Sequence, residues 1–384
     1  MSDHPMAAIV EHFGALEDPR MAYLCDHKLI DVLIIALCAL VCGAETWVDV
    51  ASFGREKRAW LGTFLELPHG IPSHDTFGNV FARLDTQQFE RCFLSWVRAV
   101  YAFTVGQVIA VDGKTVRHSY DEGAGKAAIH MVSAWASANR LVLGQVKVDD
   151  KSNEITAVPA LLRMLDICGC IVTTDAMGCQ KEIAKLIVEK KGDYVLAVKE
   201  NQPGLYVQIQ RLFDYAEKNH YAYVTSHDHY TQNNKDHGRL ETRVCSVIAD
   251  PDYLRFLPNV DKWAGLKTII KVVYQSSTNG GPAIALTRYF ISSLPCDARR
   301  LLHAVREHWT IENGLHWVLD VAFREDDCRV RKDNASENLA ILRHIALNLL
   351  SQEKTAKHGI KGKRLKAAWS QTYLLRVLSA CEAA

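Results

Sequence analysis

Three acidic residues of the chain have the type and the spacing to hold divalent cations. Asp112 and Asp175 each follow a short continuous apolar run, which is typical of a buried strand that ends in a polar residue. Glu312 recurs at helical spacing with apolar residues, so its carboxylate is expected to point with the apolar face of a helix. A carboxylate turned toward a core is costly unless it is paired or binds a metal, so this position suggests a function.

Carboxylate oxygens are the ligands that Mg²⁺ prefers, and the ion usually keeps other positions for water and phosphate oxygens. Two such ions about 4 Å apart can activate an attacking oxygen and stabilise the leaving oxygen of a phosphodiester. The residue types alone also fit other roles, because Asp112 and Gly113 can form a turn and Asp175 can cap a helix.

A transition-metal site near Glu312 is a further alternative. His308, Glu312 and His316 are spaced at i, i+4 and i+8, but only adjacent members could easily share one ion, and the zincin order H-E-x-x-H is absent. The histidines are better candidates for orienting Glu312 or for contacting DNA. His227 and His229 form a weaker pair, which is expected to be exposed in a polar loop.

The elements that must position the aspartates alternate between strand and helix. Strands are predicted over 107–111, 130–138, 141–148, 170–174 and 194–198, and helices over 154–165 and 180–190. This order predicts a mixed α/β sheet with both aspartates at strand ends. A later strand over 289–294 leads into a long helix from about Asp297. One face of that helix would carry Val305, His308, Glu312, Leu315, His316 and Leu319.

The flanking segments follow other patterns. Residues 29–40 have an apolar helical face, and Ser73 can cap a second helix, so residues 1–95 are expected to be helical. From 206 to 282 the pattern is less regular. The strand-like runs there are 244–248 and 266–274, and a polar loop is predicted at 231–236.

Composition excludes several classes of protein. Of 384 residues, 48% are hydrophobic and 23% are charged, which argues against disorder, collagen-like repeats and a membrane protein. The net charge of +1 means that a nucleic-acid partner would be held by local patches.

The 11 cysteines include no C-x-x-C pair, so neither a disulfide framework nor a thiolate zinc site is indicated. The apolar run 32–44 is shorter than the about 20 residues that cross a bilayer, and the N-terminus does not resemble a signal peptide, so a cytoplasmic protein is expected.

Several longer motifs carry a resemblance to a known family. They are Gly70-Ile-Pro-Ser-His-Asp-Thr-Phe77, Ala110-Val-Asp-Gly-Lys-Thr115, Thr174-Asp-Ala-Met-Gly-Cys-Gln180, Val198-Lys-Glu-Asn-Gln202 and His308-Trp-Thr-Ile-Glu-Asn-Gly-Leu-His-Trp317, which continues through Leu319-Asp-Val-Ala-Phe323 to Glu325-Asp326. On these motifs the chain resembles bacterial insertion-sequence transposases with an Asp-Asp-Glu (DDE) triad, specifically the ISAs-type branch that includes the H-repeat-associated proteins. The resemblance covers nearly the whole chain.

The resemblance implies an α/β fold, namely a ribonuclease H-like mixed sheet flanked by helices, with a helical N-terminal domain and a β-rich insertion. The implied domains are a helical N-terminal domain that could bind DNA, a catalytic core in two segments, the insertion and a basic helical C-terminal segment. Their ranges are 1–95, 106–205 with 286–350, 206–285 and 351–384 respectively.

The catalytic and metal-binding residues of the family map to Asp112, Asp175 and Glu312. Related transposases carry a Tyr-x-x-Arg-x-x-x-Glu-x-x-x-x-x-x-Lys signature around the glutamate. Only the glutamate matches here, so the family's DNA contacts at the other three positions do not carry over. Those positions are occupied by Val305, His308 and Leu319.

The implied activity is metal-dependent nicking at element ends and transfer of the 3′-hydroxyl strand into target DNA, with Mg²⁺ as cofactor and Mn²⁺ as a substitute. The expected partners are double-stranded DNA, as terminal repeats and as target, and a second copy of the chain. No membrane is involved, and the cytoplasmic protein would associate with the nucleoid when bound to DNA. Two alternatives stay open: a non-catalytic, domesticated DNA-binding relative, and a nuclease without strand transfer.

Basic side chains near the triad and near the C-terminus are the candidates for DNA binding, because phosphate neutralisation dominates DNA affinity. They are Lys114, Lys199, Arg324, Arg329, Arg331, Lys332, Lys361, Lys363 and Arg364. A basic run is also compatible with plain solvated surface. Trp309 and Trp317 are expected to pack in the core rather than to stack on a base.

Overall fold

The computed structural model describes residues 5–21, 23, 25–101, 105–120, 123, 125, 127–148, 153–236, 239–278 and 284–380. The strands are β1 Val108–Thr115, β2 His130–Ala136, β3 Leu141–Lys147, β4 Ile171–Thr174, β5 Asp193–Val198, β6 His227–Asp236, β7 Arg239–Ile248, β8 Thr268–Thr278 and β9 Ile284–Ser292. The helices are α1 Ala7–Phe13, α2 Leu29–Val41, α3 Trp47–Glu56, α4 Arg58–Leu61, α5 His74–Arg83, α6 Thr86–Val100, α7 Glu154–Met164, α8 Lys181–Glu189, α9 Pro203–Lys218, α10 Pro251–Leu254, α11 Ala298–His308, α12 Trp317–Ala322, α13 Ala335–Gln352, α14 Ile360–Trp369 and α15 Gln371–Leu378.

The chain divides into two units. The first comprises Met1–Ala102, Gly113–Asp150 and Glu312–Ala384, and the second comprises Phe103–Asp112 and Lys151–Ile311. Strand β1 therefore contributes residues to both units. These boundaries differ from those of the predicted domains.

The second unit is built on a mixed sheet with the strand order β1-β4-β5-β9-β8-β7-β6. Strands β1, β4 and β5 are parallel, whereas β9, β8, β7 and β6 join as antiparallel neighbours. Helix α11 packs on this sheet, and its residues Leu301 and Leu302 are buried with Ile171, Val195 and Cys245. The predicted mixed α/β sheet flanked by helices is confirmed, and the segment between β5 and α11 contributes four of its strands.

Two expectations for this unit are wrong. Residues 231–236 do not form a loop, because they belong to β6 and pair with β7, and His227 and His229 are exposed at the start of the same strand. Strand β6 lies at the sheet edge, where polar side chains are tolerated on both faces. Strand β1 does not end at Val111 but continues to Thr115.

The first unit contains the helices α1 to α6, the hairpin of β2 and β3, and the helices from α12 to α15. Helix α13 is buried along most of its length and packs against α2, α5, α6 and β3. Its Asn338 donates to the carbonyls of Phe81 and Leu84, and its Asn348 exchanges two hydrogen bonds with the backbone of Val142. The amide side chains thus fix α13 to α5 and to β3.

The helix predicted at Ser73 is confirmed. The Ser73 hydroxyl accepts the backbone N–H of Thr76 at 3.1 Å at the start of α5, which satisfies one of the free donors of a helix N-terminus. Within the described ranges, no helix combines the length and the apolarity that a membrane crossing requires.

Candidate active site

Asp112 and Asp175 occupy equivalent positions on two neighbouring parallel strands. The register of β1 and β4 ends with the pair Val111 and Thr174, and each aspartate is the next residue of its strand path. Parallel strands bring such residues to the same edge of the sheet. Within the second unit, the two aspartates therefore directly follow the last registered pair of β1 and β4.

The segment after β4 holds Asp175 in a partly buried position. Burial raises the pKa of Asp175, and this effect outweighs the hydrogen bond from the backbone N–H of Gly178 and the charge of Lys199, which both lower it. Gly178 cannot carry a side chain here, because its Cβ would lie 2.6 Å from the Cβ and Oγ1 atoms of Thr174. A cation beside Asp175 would stabilise its ionised form.

Helix α11 ends against β4. Its N-terminus is capped by Asp297, whose carboxylate accepts the backbone N–H of Arg300 at 2.9 Å. At its other end, the Nδ1 atom of His308 lies 3.1 Å from the Thr173 hydroxyl oxygen, two residues before Asp175. The predicted start of this helix is confirmed, and the direction of α11 leads the chain toward the edge that carries the aspartates.

The helix predicted to continue through Glu312 is interrupted. A turn at Trp309 follows α11, and Glu312–His316 is a π-helical segment before α12. A π turn holds more residues than an α turn and shifts the faces of the following residues. Leu315 and His316 are buried, whereas the side chain of Glu312 is 57% exposed. The expectation that Glu312 points toward the core is therefore wrong.

His316 is the hydrogen-bond partner of Glu312. Its Nδ1 atom lies 3.0 Å from the Glu312 Oε2 atom, and burial lowers the pKa of His316 although Glu312 raises it. The π-helical segment also needs Gly314, because a Cβ there would lie 2.7 Å from the Cζ2 atom of the buried Trp135. The sequence analysis named His316 as a candidate for orienting Glu312, and this hydrogen bond agrees with that role.

Lys114 is not available for phosphate binding. Its Nζ atom lies 2.7 Å from Asp320, 3.0 Å from Glu325 and 3.2 Å from Asp326, and its side chain is 11% exposed. Burial disfavours the charged form, but the carboxylates of Glu325 and Asp320 outweigh burial and raise the pKa of Lys114. The predicted DNA contact of Lys114 is contradicted, because its charge is neutralised inside the first unit.

Two residues of the C-terminal basic run are also interior. Lys363 donates to the carbonyls of Leu350 and Glu353, and Arg364 donates to those of Leu40 and Ala322. These side chains fix α14 to its neighbours, which contradicts their predicted role in DNA binding. The other predicted member of this run, Lys361, is exposed, as is Lys199 near Asp175.

The remaining predicted basic residues share one surface of the first unit. Arg324, Arg329, Arg331 and Lys332 line a groove of about 680 Å³, which we call the basic groove. Lys332 donates to Asn79 at 2.8 Å on one wall. Trp47 lines the same groove and is stacked on Phe81, with 4.7 Å between ring centroids. Other lining residues are the acids Glu45, Asp75 and Asp327, and two of them, Glu45 and Asp327, are paired with Arg324.

The two tryptophans near Glu312 are surface residues. Trp309 is 46% exposed and Trp317 is 59% exposed, so the expectation that they pack in the core is wrong. The Trp309 ring faces the Arg288 guanidinium at 4.4 Å, a cation–π contact that an exposed indole can make.

Two models of known protein families match the chain. The model described as "Transposase DDE domain" matches residues 104–349, and the one described as "DDE_Tnp_1-associated" matches residues 10–97. The chain belongs to the DDE transposase family. This confirms the resemblance carried by the motifs around the three acids.

Similar proteins span almost the entire transposase. The "H repeat-associated putative transposase YhhI" of Escherichia coli (strain K12) is 42% identical over 97% of both chains. The "Putative transposase YncI" of Escherichia coli O157:H7 is 40% identical over 97% of this chain and 95% of that protein. A cryo-EM structure of the piggyBac transposase synaptic complex with hairpin DNA matches 97% of this chain and 81% of that chain, with a TM-score of 0.46 and 11% identity.

Proposed function

We propose that this transposase nicks DNA at the ends of its element and joins the released 3′-hydroxyl to target DNA, with Asp112, Asp175 and Glu312 as its catalytic acids. The observation that supports the proposal is the parallel pairing of Val111 with Thr174, the residues that precede Asp112 and Asp175. Glu312 lies four residues after His308, whose side chain contacts β4. A ribonuclease H-like core would use all three acids together.

The donor set fits a hard divalent cation. The two aspartates offer carboxylate oxygens, and burial raises the pKa of Asp175, as expected for a carboxylate whose charge an ion would compensate. Asp112, Asp175 and Glu312 would hold Mg²⁺, or Mn²⁺ in its place. When bound, a pair of such ions activates the attacking oxygen and stabilises the leaving oxygen.

The surrounding side chains would position the acids and the DNA. His316 holds the Glu312 carboxylate through its Nδ1 atom, which restricts the rotamers of an otherwise exposed side chain. Lys199 is exposed near Asp175 and would bind a phosphate close to the reacting bond. The basic groove would bind the DNA backbone farther along through Arg329, Arg331 and Lys332, because the fourth cation, Arg324, is paired with Glu45 and Asp327.

A strand-transfer assay with a pre-nicked element end tests the proposal. The wild type should join the nicked end to target DNA only with Mg²⁺ or Mn²⁺. Asp112→Asn, Asp175→Asn and Glu312→Gln should each lose joining while folding and DNA binding stay intact. The control Asp214→Asn removes an exposed carboxylate of α9 and should join normally.

Each result of this assay that contradicts the proposal identifies a different alternative. Retained joining by one of the three variants would remove that residue from the site. Cleavage without joining in the wild type would identify a nuclease that lacks strand transfer. DNA binding with neither step would identify a non-catalytic DNA-binding relative.

A further inference from the structure

A second cationic cavity lies in the second unit, formed by α11 and β6. It has a volume of about 380 Å³. The lining residues that matter here are Arg299, Arg300, His303 and Arg306 from the helix and Tyr230 and Gln232 from the strand. None of them belongs to the proposed catalytic acids or to the basic groove.

Contacts with β6 hold two of these arginines in place. The Nη1 atom of Arg306 donates to the Gln232 Oε1 atom at 2.7 Å. The Arg299 guanidinium lies 5.5 Å from the centroid of the Tyr230 ring. Both contacts are to neutral groups, so they orient the guanidinium groups without neutralising them.

The acidic member of the lining is already engaged. Asp297 lines the cavity, and its carboxylate accepts the backbone N–H of Arg300 as the cap of α11. Three arginines therefore face one capping carboxylate within a small surface. In a chain of net charge +1, such a local excess of positive charge is the feature expected of an anion-binding surface.

We propose that this cavity binds the phosphodiester backbone of duplex DNA. Arg299, His303 and Arg306 lie on one face of α11 at i, i+4 and i+7. Seven residues of helix advance about 10 Å, and one strand of B-DNA carries about three phosphates in that length of the duplex axis. The arginines at the two ends of this row thus match phosphates along a strand, and the Nδ1 atom of His303 between them lies 3.9 Å from the Glu307 carboxylate. A free phosphate ion would need only one compact cluster of donors.

The inference rests on the proposed function, in which DNA is the substrate, and deepens it by assigning a backbone contact to residues outside the catalytic acids that equilibrium binding alone can test. Catalysis and this contact can fail separately. Asp112→Asn should lose strand transfer yet keep the contact, and loss of the cavity arginines should weaken binding even where no cleavage is measured.

Fluorescence anisotropy with a short duplex of arbitrary sequence tests the contact. The variant Arg299→Gln/Arg300→Gln changes two exposed side chains and should leave the thermal unfolding curve unchanged. Its affinity should fall for all duplexes alike, and the slope of log K against log salt should decrease by about 0.9 for each lost phosphate contact. The matched control Arg211→Gln/Arg255→Gln removes two exposed arginines outside the cavity and should leave the slope unchanged.

A triple variant that also contains Arg306→Gln should lower the slope further if it folds. An unchanged slope in the double variant would overturn the proposal. A titration of the wild type with inorganic phosphate at constant ionic strength separates the two sources of phosphate. Saturable phosphate binding that the double variant loses, without any change in the DNA slope, would identify a free-anion site and would also overturn it.

Discussion

At the scale of single residues, the charge of Lys114 is compensated inside the protein rather than by a ligand. Glu325, which is 2% exposed, pairs with both Lys114 and Arg343. Burial alone would raise the pKa of Glu325, but these two cations outweigh it and lower the pKa. Removing Lys114 would leave buried carboxylates without their main partner.

Lys114→Met should therefore lower the free energy of unfolding by about 3 kcal/mol, the usual cost of breaking a buried ion pair from one side. Urea denaturation measures this change. The double variant Lys114→Met/Glu325→Gln should recover part of the loss, because the residual buried charge is removed. A single variant as stable as the wild type would show that Lys114 is free to act elsewhere.

Glu90 makes the stability depend on pH. Burial, and then the charge of Glu337, raise the pKa of Glu90 to about 8 in the folded protein. Between the ordinary pKa of about 4.5 and this value the folded state binds more protons than the unfolded state, so stability should fall as pH rises, by at most about 1.4 kcal/mol per pH unit. Glu90→Gln should flatten this part of the stability profile in urea titrations from pH 5 to 8. An identical profile in the variant would contradict the buried, protonated state of Glu90.

Residue type alone could identify the candidate acids, but it could not tell which basic side chains are exposed and which are buried. Asp112 and Asp175 follow apolar runs that become β1 and β4, so their placement could be predicted. The sequence of the basic run that contains Lys363 and Arg364 resembles a DNA-binding surface. In the structure these side chains instead donate hydrogen bonds to buried backbone carbonyls. A charge pattern reports how many cations a segment carries, and only packing decides which of them reach solvent.

At the scale of elements, the interruption between α11 and α12 decides where Glu312 lies. An apolar periodicity predicts a continuous helix through this region, and the structure instead has a π-helical segment at Glu312–His316. Single π turns arise from tertiary packing and are frequent at functional sites. The contact of Gly314 with Trp135 is one such packing constraint. No local sequence pattern indicates it.

Gly314→Ala should displace this segment, because its new Cβ would lie 2.7 Å from the Trp135 ring. We expect a loss of about 1–3 kcal/mol in the free energy of unfolding, as for other overpacked sites, together with a fall in strand transfer. Gly359→Ala is the matched control, since nothing lies within 4 Å of its added Cβ. Normal stability and normal joining in Gly314→Ala would show that the segment tolerates the methyl group.

The edge strand β6 is a second element that the local sequence pattern did not predict. Its polar residues 231–236 read as a loop, and they form a strand because β7 supplies ten paired positions. Pairing partners distant in sequence override local propensity in sheets. Within the parallel core, where strands are short and continuously apolar, the predicted β4 and β5 differ from the observed strands by one residue at most.

At the scale of the whole molecule, transposition requires two element ends to be processed together. One chain carries one set of Asp112, Asp175 and Glu312, so a pair of chains is the simplest assembly for two ends. Sedimentation velocity with DNA that carries an element end should show complexes of two chains and two DNA ends. Complexes of one chain with one end under conditions that support joining would contradict the paired assembly.

The central claim is that the three acids bind the metal ions that support strand transfer, and a metal-specificity switch tests it most directly. Asp175→Cys replaces a carboxylate by a thiolate, which Mg²⁺ binds poorly. In the pre-nicked assay this variant should be inactive with Mg²⁺ and regain joining with the more sulfur-tolerant Mn²⁺, whereas Asp175→Ala should stay inactive with both ions. Equal joining by Asp175→Cys and the wild type in Mg²⁺ would contradict a role of Asp175 as a metal ligand.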